Sequence, residues 1–112
     1  MKGADDWGRD PQVQALRRVF AALEQAEAEL LNAAGLGPWD PRLRAWREQA
    51  RQRFMAAWPR ALGQGLARQP QAAGRLYALG LAGLLAQAGV AAPLAAQPGD
   101  EGLAAALREA GP

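Results

Sequence analysis

Side chains that favour β-strands are almost absent from this sequence. It contains three valines, two phenylalanines and one tyrosine, and it has no isoleucine or threonine. Sheets depend on such residues because branched and aromatic side chains pack well on a pleated surface. In their place stand 28 alanines, 16 leucines and 12 arginines, which are strong helix formers. The sequence therefore predicts an all-α protein, and its 112 residues suit a single domain.

The hydrophobic pattern divides the chain into a flexible lead-in at residues 1–10 and one helical domain at 11–112. Its helices are expected at about residues 11–34, 41–58, 70–88 and 101–110. Asp10-Pro11 and Asp40-Pro41 each place a capping carboxylate before a proline suited to the first helical position. Asp100 is expected to cap the last helix. Because proline lacks the backbone N–H, we expect the second helix to stop or kink at Pro59.

The spacing of apolar residues predicts how these helices pack. The first helix has a stripe that should face a core, made of Val13, Leu16, Phe20, Leu23, Leu30, Leu31 and Ala34. The second has another, made of Leu43, Trp46, Ala50, Phe54, Ala57 and Ala61. A short turn between them predicts a long antiparallel hairpin. The third helix carries leucines in nearly every direction and should be buried all round. The fourth is too short to be stable alone, so it must dock. The predicted fold is a small helical bundle.

The composition excludes most kinds of active site. The chain has no histidine, cysteine, serine or threonine. It therefore cannot form a Ser-His or Cys-His nucleophile, or an imidazole or thiolate metal site. No glycine-rich nucleotide-binding motif precedes a helix. We expect a protein that is not an enzyme, with no catalytic residue, no cofactor and no metal.

Glu27 is the first candidate site residue, because it lies in the middle of the apolar stripe of the first helix. A carboxylate there is costly unless it is paired. In an antiparallel hairpin it lies level with Arg47, so we expect a Glu27–Arg47 pair, with Glu24 near Arg51. The alternative is a carboxylate that faces a ligand or a second subunit.

An arginine stripe on the second helix gives a second candidate. Arg44, Arg47 and Arg51 are spaced three and four apart, and Trp58 continues their line. Such a stripe can hold a phosphate backbone while the aromatic ring stacks on a base. The glutamates of the first helix can instead neutralise these arginines within the fold. The sequence leaves both interpretations open.

Two further sets of residues are candidates for contact with a partner. Gly80 and Gly83 form a small-residue groove on the third helix, which either the first or second helix of this chain or a partner helix can fill. Trp39 and Trp58 lie at the ends of helical segments, where tryptophan either packs locally or anchors an interface.

These observations favour a non-catalytic protein–protein interaction module, either a homodimer or a small adaptor or subunit of a larger assembly. The alternative is a helical nucleic-acid-binding subunit that uses the arginine stripe. Residues 76–96 carry no charge, but Gln87 and Pro93 interrupt them, so we expect no membrane span. The first ten residues lack the apolar segment of a signal peptide, so we expect a cytoplasmic protein.

Overall fold

The computed structural model describes residues 10–63 and 70–110, and within them it is helical without strands. The four α-helices are α1 (Pro11–Ala33), α2 (Leu43–Gly63), α3 (Pro70–Gln87) and α4 (Asp100–Glu109). The all-α bundle expected from the sequence is confirmed. Of the predicted lead-in, all but Asp10 lies outside the described residues, as does the segment 64–69.

Helix α3 is the centre of the bundle. It packs against α1, α2 and α4, and α2 also packs against α4. The hairpin partners α1 and α2 make their close backbone approaches to α3 rather than to each other. The prediction that the leucine-rich third helix is buried is confirmed, with Leu76, Leu81, Leu84 and Leu85 all 6% exposed or less.

The first helix begins with the cap expected for it. The Asp10 carboxylate accepts a hydrogen bond of 2.8 Å from the backbone N–H of Gln12. At the other end Gly35 has a φ of +73°, which glycine adopts without steric cost. The N–H of Leu36 then donates to the carbonyl of Leu31 at 3.0 Å, and this bond closes the last turn.

Helix α2 continues through Pro59 to Gly63, so of the stop or kink expected at Pro59 the stop is wrong, while the kink stays a prediction. Proline in a helix deprives the carbonyl four residues earlier of its donor. That residue is Met55, which is 64% exposed, and Pro59 is exposed as well. Because both lie on the solvent side, water can satisfy the free carbonyl. The inner face of α2 is buried at every position predicted from the sequence.

Helix α4 begins one residue earlier than predicted. Gly99, with a φ of +92°, precedes it, and Asp100 is its first helical residue rather than its cap. The Asp100 carboxylate instead accepts hydrogen bonds from Arg75 and from the backbone N–H of Gln97. None of the described helices combines the length and hydropathy needed to cross a membrane.

Candidate functional site

Glu27 lies at the junction of three helices. It is 5% exposed on α1, and its Oε1 atom is 2.8 Å from Nε of Arg47 on α2. The pairing expected from the sequence is confirmed. The Tyr77 hydroxyl on α3 donates a short hydrogen bond to the other carboxylate oxygen. Every oxygen of this buried carboxylate therefore has a donor, which is the condition for burying a charge.

The sequence did not predict the role of Tyr77 in this network. Its hydroxyl is the only one in the chain. Burial, then the hydrogen bond to Glu27, raises the pKa of Tyr77 well above its ordinary value. Arg51 and Arg47 act on the same pKa in the opposite direction. A hydroxyl that holds its proton this firmly is a hydrogen-bond donor and not a nucleophile.

The second ion pair predicted for this region does not form. Glu24 is exposed, and none of the ion pairs in the described part of the chain joins it to Arg51. Arg51 is half-buried, and its charge acts on Tyr77. Of the four described ion pairs, only Arg47–Glu27 involves the arginine stripe.

The arginine stripe lines a concave surface at the turn between α1 and α2. We call this surface the arginine groove; its volume is about 550 Å³. It is lined by Pro38, Asp40, Pro41, Leu43, Arg44, Arg47 and Arg51. The Asp40 carboxylate is engaged by Arg42, at 2.9 Å from Nη2, and these hydrogen bonds hold the pKa of Asp40 below its usual value. Arg42 also lies over the ring of Trp46, with Cζ 4.8 Å from the ring centroid.

The two candidate tryptophans have different surroundings. Trp58 is half-buried and stacks on Phe54, with ring centroids 5.2 Å apart. Trp39 is 83% exposed, and its ring lies against Gly37, where a Cβ atom would overlap it. Trp39 stands between Pro38 and Asp40, two residues that line the arginine groove. The exposed aromatic ring closest in sequence to the groove is therefore Trp39.

The small-residue groove of α3 is filled within the chain at one of its two glycines. A Cβ at Gly80 would meet Leu107 of α4 at 3.5 Å, so the occupant is α4 rather than the first or second helix. Gly83 is exposed with nothing near it. The close approach of α1 occurs at Gly74, where a Cβ would lie 2.9 Å from the carbonyl oxygen of Ala22.

The apolar stripe of α1 is only half covered. Its central line has the alternating three- and four-residue spacing of a coiled-coil seam, and we call it the α1 seam: Val13, Leu16, Phe20, Leu23, Glu27 and Leu30. Leu23, Glu27 and Leu30 are buried. Leu16 and Phe20 are 56% and 47% exposed. The sequence predicted the stripe but not the exposure of Leu16 and Phe20 in its first half.

The register of α1 against α3 explains the exposure of Leu16. Ala22 lies against Gly74, and Glu27 is bonded to Tyr77, so the two helices run in the same direction. Counted back from Ala22 and Gly74, the first residue of α3 lies level with about residue 18 of α1. Val13 and Leu16 therefore extend past the start of α3.

A second polar link joins α3 to the segment before α4. Arg75 donates to both carboxylate oxygens of Asp100, at 2.8 and 2.7 Å, and to the carbonyl of Ala95. Bidentate bonds of this kind are strong and directional. Arg75 also lines a groove of about 550 Å³ between α1, α3 and residues 93–97, but its guanidinium is committed to Asp100.

Comparison of the chain with protein-family models, curated proteins and solved structures finds no match. Within residues 10–63 and 70–110, no three acidic side chains cluster in a way that could hold a metal ion. Among the described residues, the exposed half of the α1 seam and the arginine groove are two surfaces that a partner can contact.

Proposed function

We propose that this chain is a non-catalytic protein–protein interaction module whose exposed α1 seam docks a helix. The partner is a second copy of the chain or a subunit of a larger assembly. The observation that carries this proposal is the continuity of the seam. Val13, Leu16 and Phe20 prolong, at the same spacing, the line on which Leu23 and Leu30 already pack.

The composition of the core supports the need for a partner. Many of the buried side chains are alanines, which remove little apolar area from water per residue. Two large apolar side chains left half exposed on one helix face are a further apolar surface that an occupant can cover. Two χ angles orient the Phe20 ring, which makes it a suitable central anchor for such a contact.

Sedimentation equilibrium over micromolar to millimolar concentrations tests the proposal. The double variant Leu16→Gln/Phe20→Gln should lose association that the wild type shows. Met55→Gln/Leu62→Gln is the matched control, because these two side chains are 64% and 50% exposed on α2. Association that persists in the first variant, or disappears equally in both, contradicts the proposal.

A wild type that stays monomeric excludes the homodimer and leaves the assembly subunit. Affinity capture with tagged wild type, Leu16→Gln/Phe20→Gln and the α2 control then tests that form. A partner retained by the wild type and the control but not by the seam variant supports it. A partner retained equally by all three contradicts it.

Nucleic-acid binding through α2 is a second candidate. The observation in its favour is that Arg44, Arg47 and Arg51 line one groove. Trp58, which stacks on Phe54, is less suited to the stacking role expected for it, and Trp39 is better placed. Steep weakening with salt would support this candidate, since each phosphate contact releases counterions.

A further inference from the structure

We propose that the arginine groove is a binding site for phosphate groups, held by the guanidinium groups of Arg44 and Arg51. The groove lies near the turn that follows α1. Leu16 precedes Leu30 by 14 residues, or about 20 Å along the helix, so the exposed seam and the groove are separate surfaces. The proposal therefore does not depend on protein binding, and each can fail without the other. Its nucleic-acid form rests on the second candidate function above, which uses the same arginines, whereas binding of a small phosphate compound does not.

The charges around the groove leave two arginines without a carboxylate. Asp40 is engaged by Arg42, and Glu27 is engaged by Arg47. Among the described residues, neither Arg44 nor Arg51 has a carboxylate partner. The residues that line the groove are three arginines and one carboxylate, Asp40, among uncharged neighbours, so the lining has a net charge of two positive units. Glu48 is exposed on α2 and lies outside that lining. A doubly charged anion, or two neighbouring phosphodiesters, complements the charge of the lining.

The side chains of the groove are suited to phosphate, as guanidinium groups are to carboxylate. Each guanidinium offers a planar set of five N–H donors that matches phosphate oxygens in pairs. Arg44 and Arg51 are two turns apart on α2, with Arg47 between them, so their head groups can approach a ligand from both ends of the groove. Because Glu27 fixes Arg47 at 2.8 Å, the middle of the groove has an ordered side chain rather than a mobile one.

Substitution of Trp39 can tell two phosphate ligands apart, because its exposed ring is next in sequence to Pro38 and Asp40 of the groove. A base stacked on an exposed aromatic ring adds affinity that a free phosphate cannot obtain. If the ligand is a single-stranded nucleic acid, both the arginines and Trp39 contribute. If the ligand is a small phosphate compound, only the arginines contribute. The two sources are therefore separable by substitution.

The experiment measures the binding of two probes to purified full-length chain. Pyrophosphate is titrated by calorimetry, and a labelled single-stranded decanucleotide by fluorescence anisotropy. Arg44→Gln/Arg51→Gln should weaken whichever probe binds by at least about tenfold, since bonds to charged groups are strong. Arg17→Gln/Arg18→Gln is the control; it removes the same charge from two exposed arginines on α1.

The pattern of binding loss among the variants shows whether the ligand is a free phosphate, a nucleic acid or neither. Binding of pyrophosphate that is lost in the groove variant but kept in the control supports a free phosphate ligand. The same pattern with the decanucleotide, together with a further loss in Trp39→Ala, supports a nucleic acid. For that probe the salt slope of log K should fall by about 0.7 for each of the two contacts removed. Binding of neither probe, or an equal loss in the groove and control variants, overturns the proposal. Thermal unfolding of each variant, expected to match the wild type, excludes misfolding as the cause.

Discussion

Two polar links hold α3 to its neighbours, one on each side, and they differ in how deeply their groups are buried. On the side facing α1 and α2, Glu27 is buried and joined to Tyr77 and Arg47. On the side facing α4, Arg75 and Asp100 form a bidentate pair whose side chains remain 13% and 19% exposed. The carboxylate and the hydroxyl of the first link are enclosed by the core, although Arg47 is 46% exposed, while both partners of the second link lie at the edge of the core.

This difference predicts how each link fails. A buried carboxylate that loses a donor keeps its desolvation cost without compensation, so the loss is large. At the edge of the core, water can replace a lost partner, so the loss is smaller. The two links therefore contribute differently to stability, although each joins helices through an acid and an arginine.

Tyr77→Phe is expected to have the largest effect. It removes the donor from one oxygen of Glu27 while leaving the carboxylate buried, which should destabilise the fold by about 1 to 3 kcal/mol. The double variant Glu27→Leu/Tyr77→Phe replaces both groups with apolar ones and should recover most of that loss. Urea unfolding of the wild type, both single variants and the double variant measures this cycle.

The stability of the double variant can contradict this comparison of the buried link with the link at the edge of the core. If the double variant is less stable than Tyr77→Phe, the buried carboxylate is not the source of the loss. The Arg47 side chain is 46% exposed, so after the substitution of Glu27 it can turn into water without an unpaired buried charge. For that reason the double variant leaves no polar group of this network enclosed.

The sequence predicted one link of the pair and missed the other. Glu27 was recognisable because a carboxylate in an apolar stripe needs a partner, and the short turn set the level of Arg47. Tyr77 lies 50 residues away, and only the packing of α3 brings it to Glu27. The Arg75–Asp100 pair likewise spans 25 residues and an irregular segment. Contacts across such distances depend on how helices cross, which periodicity does not determine.

Within single helices the sequence was a better guide. The buried face of α2 and the N-terminal cap of α1 follow from local spacing, and they were predicted correctly. At Pro59 local reasoning failed, because the cost of a missing donor depends on whether water reaches the carbonyl of Met55. The exposure of Leu16 and Phe20 also escaped prediction, and that of Leu16 depends on where α3 begins relative to α1.

The two glycines that α3 presents to its neighbours allow a second comparison of its sides. A Cβ at Gly74 would lie 2.9 Å from the backbone oxygen of Ala22, so α1 would have to move away. We expect Gly74→Ala to destabilise by about 1 to 3 kcal/mol. A Cβ at Gly80 would meet the side chain of Leu107 at 3.5 Å, an ordinary contact. Gly80→Ala should therefore gain up to about 1 kcal/mol from helix propensity.

Thermal unfolding of both variants checks these opposite signs, and Gly83→Ala provides the control. Gly83 is exposed with nothing near it, so its substitution isolates helix propensity from packing. Equal shifts for Gly74→Ala and Gly83→Ala would contradict a close approach of α1 at Gly74. A loss at Gly80→Ala would place α4 closer to α3 than the Leu107 contact indicates.

The smallest expected changes in the free energy of unfolding are those that occur at low and at high pH. Hydrogen bonds from Arg75, then from the N–H of Gln97, lower the pKa of Asp100 from 3.8 to about 2. Its contribution to stability is complete above pH 3.8 and is lost as the pH falls towards 2. Burial, then the bond to Glu27, raises the pKa of Tyr77 above 10.0, so its contribution is complete below pH 10 and declines at higher pH.

Urea unfolding between pH 2 and pH 11 should therefore separate the two links, since each has its own titrating group. In a plot of the free energy of unfolding against pH, we call the decline at low pH the acid limb and the decline at high pH the alkaline limb. Asp100→Asn should flatten the acid limb and leave the alkaline limb unchanged, whereas Tyr77→Phe should flatten the alkaline limb. Asp40→Asn is the matched acid control, because Arg42 also lowers the pKa of Asp40. Arg42 is only two residues from Asp40 and stays near it in the unfolded chain, so the control should change the acid limb less than Asp100→Asn. An acid limb equally flat in both variants would mean that the Arg75–Asp100 pair contributes no more than the local Arg42–Asp40 pair does. In that case α4 would be held to α3 by its apolar contacts alone.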